Sequence, residues 1–276
     1  MGDPFPAITE AGATGETARL FSDIRDVVGV RVVNLVWRHL ATMDGALAAT
    51  WLAVRPLYIE GIVDAEALRF RTRMAVPTLA SLAGDEPAGV DAVLASYDHS
   101  NTINLFALGA LLEKLRGEPN GHEHPARGPR LQAPDVALPP LVSESEVTPD
   151  AWACVLRLNR MGDSPQPLIL ASMYRNLAHW PAFLARIEPA LALVQNDGSL
   201  ARCISENRIS ARARSQVIAK VLDMPALGTD SRGRIEHAVE AFLDHAIYKM
   251  VTICRAIRMA RGNGHYAAHG RTSGAV

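Results

Sequence analysis

Residues 98–115 read DHSNTINLFALGALLEKL, and the apolar positions of this run recur every three or four residues. Drawn as a helix, the run places five residues on one stripe: Asp98, Asn101, Leu105, Leu108 and Leu112. Asn104 lies on the edge of that stripe. The spacing therefore predicts an apolar helix whose buried face begins with a carboxylate and an amide.

The remainder of the 276-residue chain has the same helical character. Hydrophobic residues make up 49% of it, charged residues 21% and aromatic residues only 5%. Abundant Ala and Leu with few aromatic residues favour helices over strands. Further helices are predicted near residues 16–28, 32–41, 46–57, 64–83 (interrupted near Pro77), 88–97, 168–178, 181–195, 198–206, 208–222 and 231–261, and another begins at Thr148-Pro149.

Residues 117–147 interrupt this pattern, because they are rich in Pro and Gly and show no hydrophobic periodicity. Such a composition is typical of a linker between helical units. We therefore predict a helical repeat at 10–116, a linker at 117–147, a second helical repeat at 148–262 and a flexible tail at 263–276.

Two short matches relate the halves of the chain. Residues 34–41, NLVWRHLA, resemble residues 171–178, ASMYRNLA, and residues 97–99, YDH, resemble residues 243–245, LDH. The matches occur in the same order in both halves. They predict an all-α protein with two tandem, diverged helical repeats that pack together as an intramolecular pseudo-dimer.

Charge and motifs exclude several classes of function. The net charge is −1, so nothing global favours a nucleic acid or an anionic membrane as partner. No signal peptide is apparent at the N-terminus, and the three cysteines lie far apart, which indicates a reduced, cytoplasmic protein. No phosphate-binding loop, dinucleotide motif or zinc-protease motif is present, and His122-Glu123-His124 lacks a third ligand at fixed spacing. The sequence predicts no cofactor and no metal, and leaves a homodimer open.

The polar residues of the 98–115 helix have two interpretations. Asp98 caps the start of the helix while Asn101 satisfies a neighbouring backbone group, or the two form the polar end of a pocket and together hold a water molecule. Arg38 and Arg175, which the repeat relates, are either structural or bind a substrate carboxylate.

Several motifs resemble those of the group I 2-haloacid dehalogenases. Asp23-Ile24-Arg25 with residues 30–42 resembles the first-half signature of that family, and residues 97–101 resemble its first-half Asn motif. Residues 177–181, LAHWP, resemble its second-half Leu-Ala-x-Trp-Pro motif. The resemblance covers residues 10–262, at low identity.

That resemblance implies an all-helical enzyme that hydrolyses carbon–halogen bonds of short 2-haloalkanoates without a metal or cofactor. In the family an Asp, helped by an Asn, activates the water that displaces the halide. The helper Asn falls on Asn101, and a Ser that binds the substrate carboxylate falls on Ser172. Further candidates for substrate binding are Arg38, Arg175, Trp37, Tyr174 and Asn104.

The position of the family's catalytic Asp is occupied by Met173. A thioether cannot accept a proton from water, and loss of a positioned general base costs about 10²–10⁴-fold in rate. Val32 and Leu35 likewise stand where the family has aromatic pocket residues. The sequence predicts a divergent hydrolase of a small carboxylic acid, with Asp98, or secondarily Asp163, as a relocated base. A different reaction on this scaffold and a non-catalytic binding protein remain the alternatives.

Overall fold

The computed structural model describes residues 5–85, 87–117, 122–131, 137–162 and 169–262, and every regular element in these ranges is helical. The first half contains α1 (Gly15–Val28), α2 (Leu35–Leu40), α3 (Ala46–Ile59), α4 (Ile62–Arg71) and α5 (Ala88–Arg116). A 3₁₀ turn, Glu144–Glu146, precedes the second half. The second half contains α6 (Pro149–Arg160), α7 (Ser172–Leu177), α8 (Pro181–Asn196), α9 (Ser199–Ala219), α10 (Thr229–Phe242), a π-helical segment (Leu243–Ile247) and α11 (Tyr248–Ala260).

The long helix α5 lies at the centre of the molecule and positions the site. It packs against α3, α4 and α7 and against α9, α10 and α11. Leu105, Leu108 and Leu112 of the predicted stripe are buried, and so are most of the residues on its other faces. Gly109 allows a close crossing with α9, because a Cβ atom there would lie 2.2 Å from Ser215 Oγ. The predicted all-α class is confirmed.

Several predicted boundaries were wrong. The 98–115 helix is the second part of α5, which begins at Ala88, so residues 88–97 and 98–115 form one helix. Residues 198–206 and 208–222 are likewise one helix, α9. The helix predicted over 64–83, with an interruption near Pro77, already ends at Arg71. By contrast, Thr148 caps α6 as predicted, accepting a hydrogen bond from Ala151 N at 3.3 Å.

The two halves present their helices in a similar order of lengths. Helices of 14, 6, 14, 10 and 29 residues, α1 to α5, are followed by helices of 12, 6, 16 and 21 residues, α6 to α9. The series then ends in the nearly continuous helical run from α10 through the π-helical segment to α11. This order is compatible with a duplicated unit, although the duplication itself stays a prediction.

Across the described ranges, no single helix has both the length and the apolar composition needed to cross a membrane. The bent pair α3 and α4, which meet at 68°, satisfies that criterion together.

Candidate functional site

A cavity of about 80 Å³ lies between the two halves. This volume has room for several water molecules, since one water needs about 10–15 Å³ on the same measure. Its walls come from the start of α2, the middle of α5, the start of α7 and the π-helical segment. The lining is mostly apolar, and its polar members are Asn34, Arg38, Ser96, Tyr97, Ser100, Asn101, Asn104 and Ser172.

One wall of the cavity contains an amide network around Asn104. Asn104 Oδ1 accepts hydrogen bonds from Tyr58 Oη at 2.6 Å and from Trp37 Nε1 at 3.3 Å. Because an indole N–H is only a donor, the Oδ1 atom must face Trp37, which fixes the amide orientation. Asn104 Nδ2 then donates to Asn34 Oδ1 at 3.0 Å. Asn34 Oδ1 is thus an acceptor within this wall, and Asn34 also lines the cavity.

The opposite wall contains a chain of hydrogen bonds that starts at a backbone carbonyl of the linker. Asn176 Nδ2 donates to the Pro139 carbonyl at 2.6 Å, and Tyr97 Oη donates to Asn176 Oδ1 at 2.6 Å. Tyr97 and Ser172 both line the cavity. Burial raises the pKa of Tyr97 above its usual range, so the phenol stays protonated at neutral pH.

Arg38 supplies the positive charge of the lining. Its Nε donates to the Val33 carbonyl at 3.1 Å, and both residues line the cavity. Asn101 also lines the cavity and is half-buried. Arg38, Asn101, Asn104 and Ser172, all predicted as site residues, are thus brought together.

The cavity is apolar where the resemblance places the catalytic base. Met173 lines it and is 1% exposed, and Val32 and Leu35 contribute two more apolar walls. Among the described residues, no carboxylate lines this cavity. Asp163, the second candidate base, lies outside the described residues. The described lining therefore has an Arg and several hydrogen-bonding groups but no general base.

Asp98 is placed elsewhere than we expected. It lies ten residues inside α5, so it does not cap a helix start, and it is absent from the cavity lining. Its carboxylate is 2.5 Å from Arg258 Nη1, 3.6 Å from Arg71 Nε and 3.9 Å from Arg255 Nη1. The expectation that Asp98 shares a cavity with Asn101 and Ser172 was wrong, because these guanidinium groups hold the carboxylate in the core.

Three other predicted binding residues also lie outside the cavity lining. Trp37 is fully buried, and its Nε1 donates to Asn104 Oδ1. Tyr174 is fully buried, and its hydroxyl has no hydrogen-bond partner in the described part of the chain. Arg175 Nε donates to the Val142 carbonyl at 2.7 Å and fastens the linker to α7. These side chains support the walls of the cavity without facing its interior.

Sequence reasoning missed Tyr97, Asn34 and Asn176. Tyr97 precedes Asn101 by four residues, one helical turn, so helical spacing would have placed both on one face of α5. No comparable signal points to Asn176, whose partner Tyr97 is 79 residues away in the sequence.

Comparison with known proteins finds the same fold in solved structures. A D-2-haloacid dehalogenase mutant with D-2-CPA aligns with a TM-score of 0.73 and 14% identity over 95% of this chain and 97% of that chain. Another D-2-haloacid dehalogenase mutant aligns with a TM-score of 0.74 and 15% identity, and a D-2-haloacid dehalogenase with L-LA aligns with a TM-score of 0.72 and 16% identity. Each of these two alignments covers 94% of this chain and 99% of the other. No family model and no curated protein matches the chain. The fold resemblance predicted from the sequence is confirmed.

Proposed function

We propose that the cavity binds a small carboxylic acid and that the chain has lost the direct hydrolysis of 2-haloacids. The observation that carries this proposal is the composition of the lining, in which Arg38, Asn34, Asn101 and Ser172 surround a small apolar volume while Met173 stands at the position of the expected base. A guanidinium and amide donors are suited to a carboxylate, and the apolar remainder suits a short alkyl chain. The complexes of similar folds with 2-chloropropionate and lactate support this size of ligand.

Calorimetric titration of the full chain with 2-chloropropionate and with lactate tests the binding. We expect saturable binding with a stoichiometry of about one. Arg38→Gln should weaken it about 10- to 100-fold, because a hydrogen bond to a charged group contributes about 1.5–3 kcal/mol. The matched control is Arg175→Gln, which removes the repeat-related guanidinium outside the cavity lining and should leave the affinity unchanged. Absence of saturable binding of either acid would refute the proposal.

Halide release from 2-chloropropionate tests the loss of hydrolysis. The unmodified protein should release no halide above the buffer rate. Met173→Asp should restore measurable release, because the new carboxylate would face the cavity near Asn101. Burial would raise the pKa of the new carboxyl group, and the Arg38 guanidinium would lower it. Met173→Asn is the control of similar size without a base. Release by the unmodified protein at about 1–10³ s⁻¹, typical of enzymes, would contradict the proposed loss.

We also propose that the two walls of the cavity descend from one duplicated unit, with α2 and α7 as equivalent helices. The similar order of helix lengths and the matching Trp37-Arg38 and Tyr174-Arg175 pairs support this. Superposition of residues 15–116 on the described part of 149–260 tests it. If α2 superposes on an element other than α7, the duplication is wrong.

A further inference from the structure

Two ion pairs occupy equivalent positions in the two halves of the chain. Arg71 Nε of α4 lies 3.6 Å from Asp98 Oδ2 of α5. Arg208 Nε of α9 lies 3.8 Å from Asp244 Oδ1 of the π-helical segment. The two arginines are 137 residues apart in the sequence, and the two aspartates are 146 residues apart. The starts of α2 and α7 are also 137 residues apart, so these two offsets relate positions of the first half to positions of the second.

The lining of the cavity follows both offsets. Residues 32–36 line the cavity, and residues 169–173, which lie 137 positions later, line it too. The offset of 146 relates α5 to the π-helical segment and α11. At this offset the lining contains the pairs Ser100 and Ala246, Asn101 and Ile247, and Asn104 and Met250.

The related positions of the lining differ in polarity. Each of the three α5 residues is polar, and its counterpart is apolar. Asn34 is polar and its counterpart Ala171 apolar, while Arg38 lines the cavity and its counterpart Arg175 does not. Ser172 is the polar exception in the second half. No charged or amide side chain belongs to the second-half wall, which is formed by residues 169–173, Phe242, Ala246, Ile247 and Met250.

The buried hydrogen bonds of the two halves differ in the same way. Trp37 Nε1 donates to Asn104 Oδ1 at 3.3 Å. Tyr174, the counterpart of Trp37, is fully buried, and its hydroxyl has no hydrogen-bond partner in the described part of the chain. Met250, the counterpart of Asn104, has a thioether, which is only a weak acceptor. The amide network around Asn104 is therefore not repeated at Met250.

We propose that this difference fixes the orientation of the bound acid, with its carboxylate facing the polar groups of the first half and its chain end packed against Ile247 and Met250 of the second-half wall. These two residues would then determine specificity, because a polar chain end buried against them would lose its hydrogen bonds to water without replacement. This orientation rests on the proposed binding of small carboxylic acids. It narrows the ligand class to monocarboxylic acids with an apolar chain end.

Calorimetric titration with butyrate and 3-hydroxypropionate measures the requirement for an apolar chain end. The two acids are similar in size and differ only in a terminal methyl or hydroxyl group. We expect the unmodified chain to bind butyrate about 10- to 100-fold more tightly, because a buried hydroxyl without a partner is unfavourable. Met250→Asn gives the wall the amide of its counterpart, so the ratio should fall about fivefold. Met259→Asn, the same exchange at an exposed position of α11, is the control and should keep the ratio.

A second measurement locates the chain end in the unmodified protein, whether or not the fold tolerates a buried amide at Met250. With ¹³C-labelled methionine methyl groups, nuclear Overhauser contacts identify the part of bound butyrate that lies next to Met250. We expect the terminal methyl group of butyrate to contact the Met250 methyl more strongly than the C2 protons do. Met250→Leu, which keeps the wall apolar, assigns the signal.

These experiments distinguish a wrong orientation from a lack of binding. Equal or reversed affinities for butyrate and 3-hydroxypropionate would overturn the proposed orientation, and so would contacts from the C2 protons that are at least as strong as those from the terminal methyl. A ratio unchanged in folded Met250→Asn would overturn it as well. Binding of lactate or 2-chloropropionate without binding of butyrate would have the same meaning, because the second-half wall would then leave no space for the chain. Failure of all four acids to bind would refute the binding proposal and the orientation together.

Discussion

At the scale of single residues, Asp98 shows that a buried carboxylate need not belong to a binding or catalytic site. Sequence spacing correctly predicted that this carboxylate would be shielded from water, and it is 1% exposed. What spacing could not predict is its partners, because Arg71 and Arg258 approach from α4 and α11, at 27 and 160 residues from it in the sequence. A carboxylate paired in this way stabilises the fold. The structural and the catalytic interpretation of Asp98 therefore predict different effects of its mutation on the free energy of unfolding.

Asp98→Asn should lower the free energy of unfolding by about 3–5 kcal/mol, because it removes the anion from a buried ion-pair cluster. Affinity for small acids should be retained in the folded fraction, since Asp98 does not line the cavity. Urea unfolding and calorimetric titration measure the two effects. Glu60→Gln, in the exposed pair with Arg127, is the control and should cost at most about 1 kcal/mol. A variant that folds normally but loses ligand binding or reaction would show that Asp98 is functional.

Other site residues were predictable to different degrees. Asn101, Ser172 and Arg38 were found from the sequence, and all three line the cavity. The sequence did not predict that Trp37, Tyr174 and Arg175 lie outside the cavity lining. A motif match identifies a position in a helix but not the direction in which its side chain packs. Direction depends on the neighbouring elements, here α5 and the linker carbonyl of Val142.

At the scale of elements, glycine controls two helix starts in different ways. Gly45 precedes α3 and Gly61 precedes α4, and both have φ +68°. Nothing lies within 4 Å of a Cβ atom built on Gly45, whereas one built on Gly61 would lie 1.9 Å from the Gly128 carbonyl oxygen. The Gly61 carbonyl also accepts a hydrogen bond from Gly128 N at 3.2 Å, so the linker rests directly on this turn.

Comparing alanine substitutions at Gly45 and Gly61 separates the cost of backbone strain from the cost of a steric clash. Gly45→Ala should cost about 1–2 kcal/mol, the penalty for a Cβ atom in left-handed backbone. Gly61→Ala should cost about 1–3 kcal/mol more, because Gly128 must also move. Urea denaturation of both variants measures the difference in unfolding free energy. Equal costs would mean that the linker is not held against the start of α4.

The sequence predicted the type of each element better than its boundaries, as two positions show. Thr148 followed by Pro149 predicts a helix start from local sequence alone, and α6 does begin at Pro149. The break that we expected between residues 97 and 98 does not exist, since α5 runs without interruption from Ala88 to Arg116. Within this helix, Thr102 Oγ1 donates to the Asp98 carbonyl at 2.6 Å.

At the scale of the whole molecule, the central helix makes the fold sensitive to acid. His99 of α5 is fully buried, with Nε2 3.3 Å from the Val28 carbonyl of α1. Burial and the nearby Arg71 guanidinium lower its pKa from 6.5 to about 4. The folded protein therefore keeps this imidazole neutral at a pH where the unfolded chain protonates it. Because the unfolded state binds more protons between about pH 6.5 and 4, stability is full above pH 6.5 and falls as the pH drops through this window.

The size of the stability loss at low pH follows from the shift in the pKa of His99. A pKa lowered by that amount corresponds to about 3 kcal/mol of stability lost between pH 7 and pH 4. In His99→Gln, which retains an N–H donor for Val28 but cannot titrate, the pH dependence of the unfolding free energy over this range should decrease by about that amount. Urea unfolding at a series of pH values measures the slope directly, with His122→Gln in the exposed linker as control. An unchanged slope in His99→Gln would contradict the assignment of this acid sensitivity to His99.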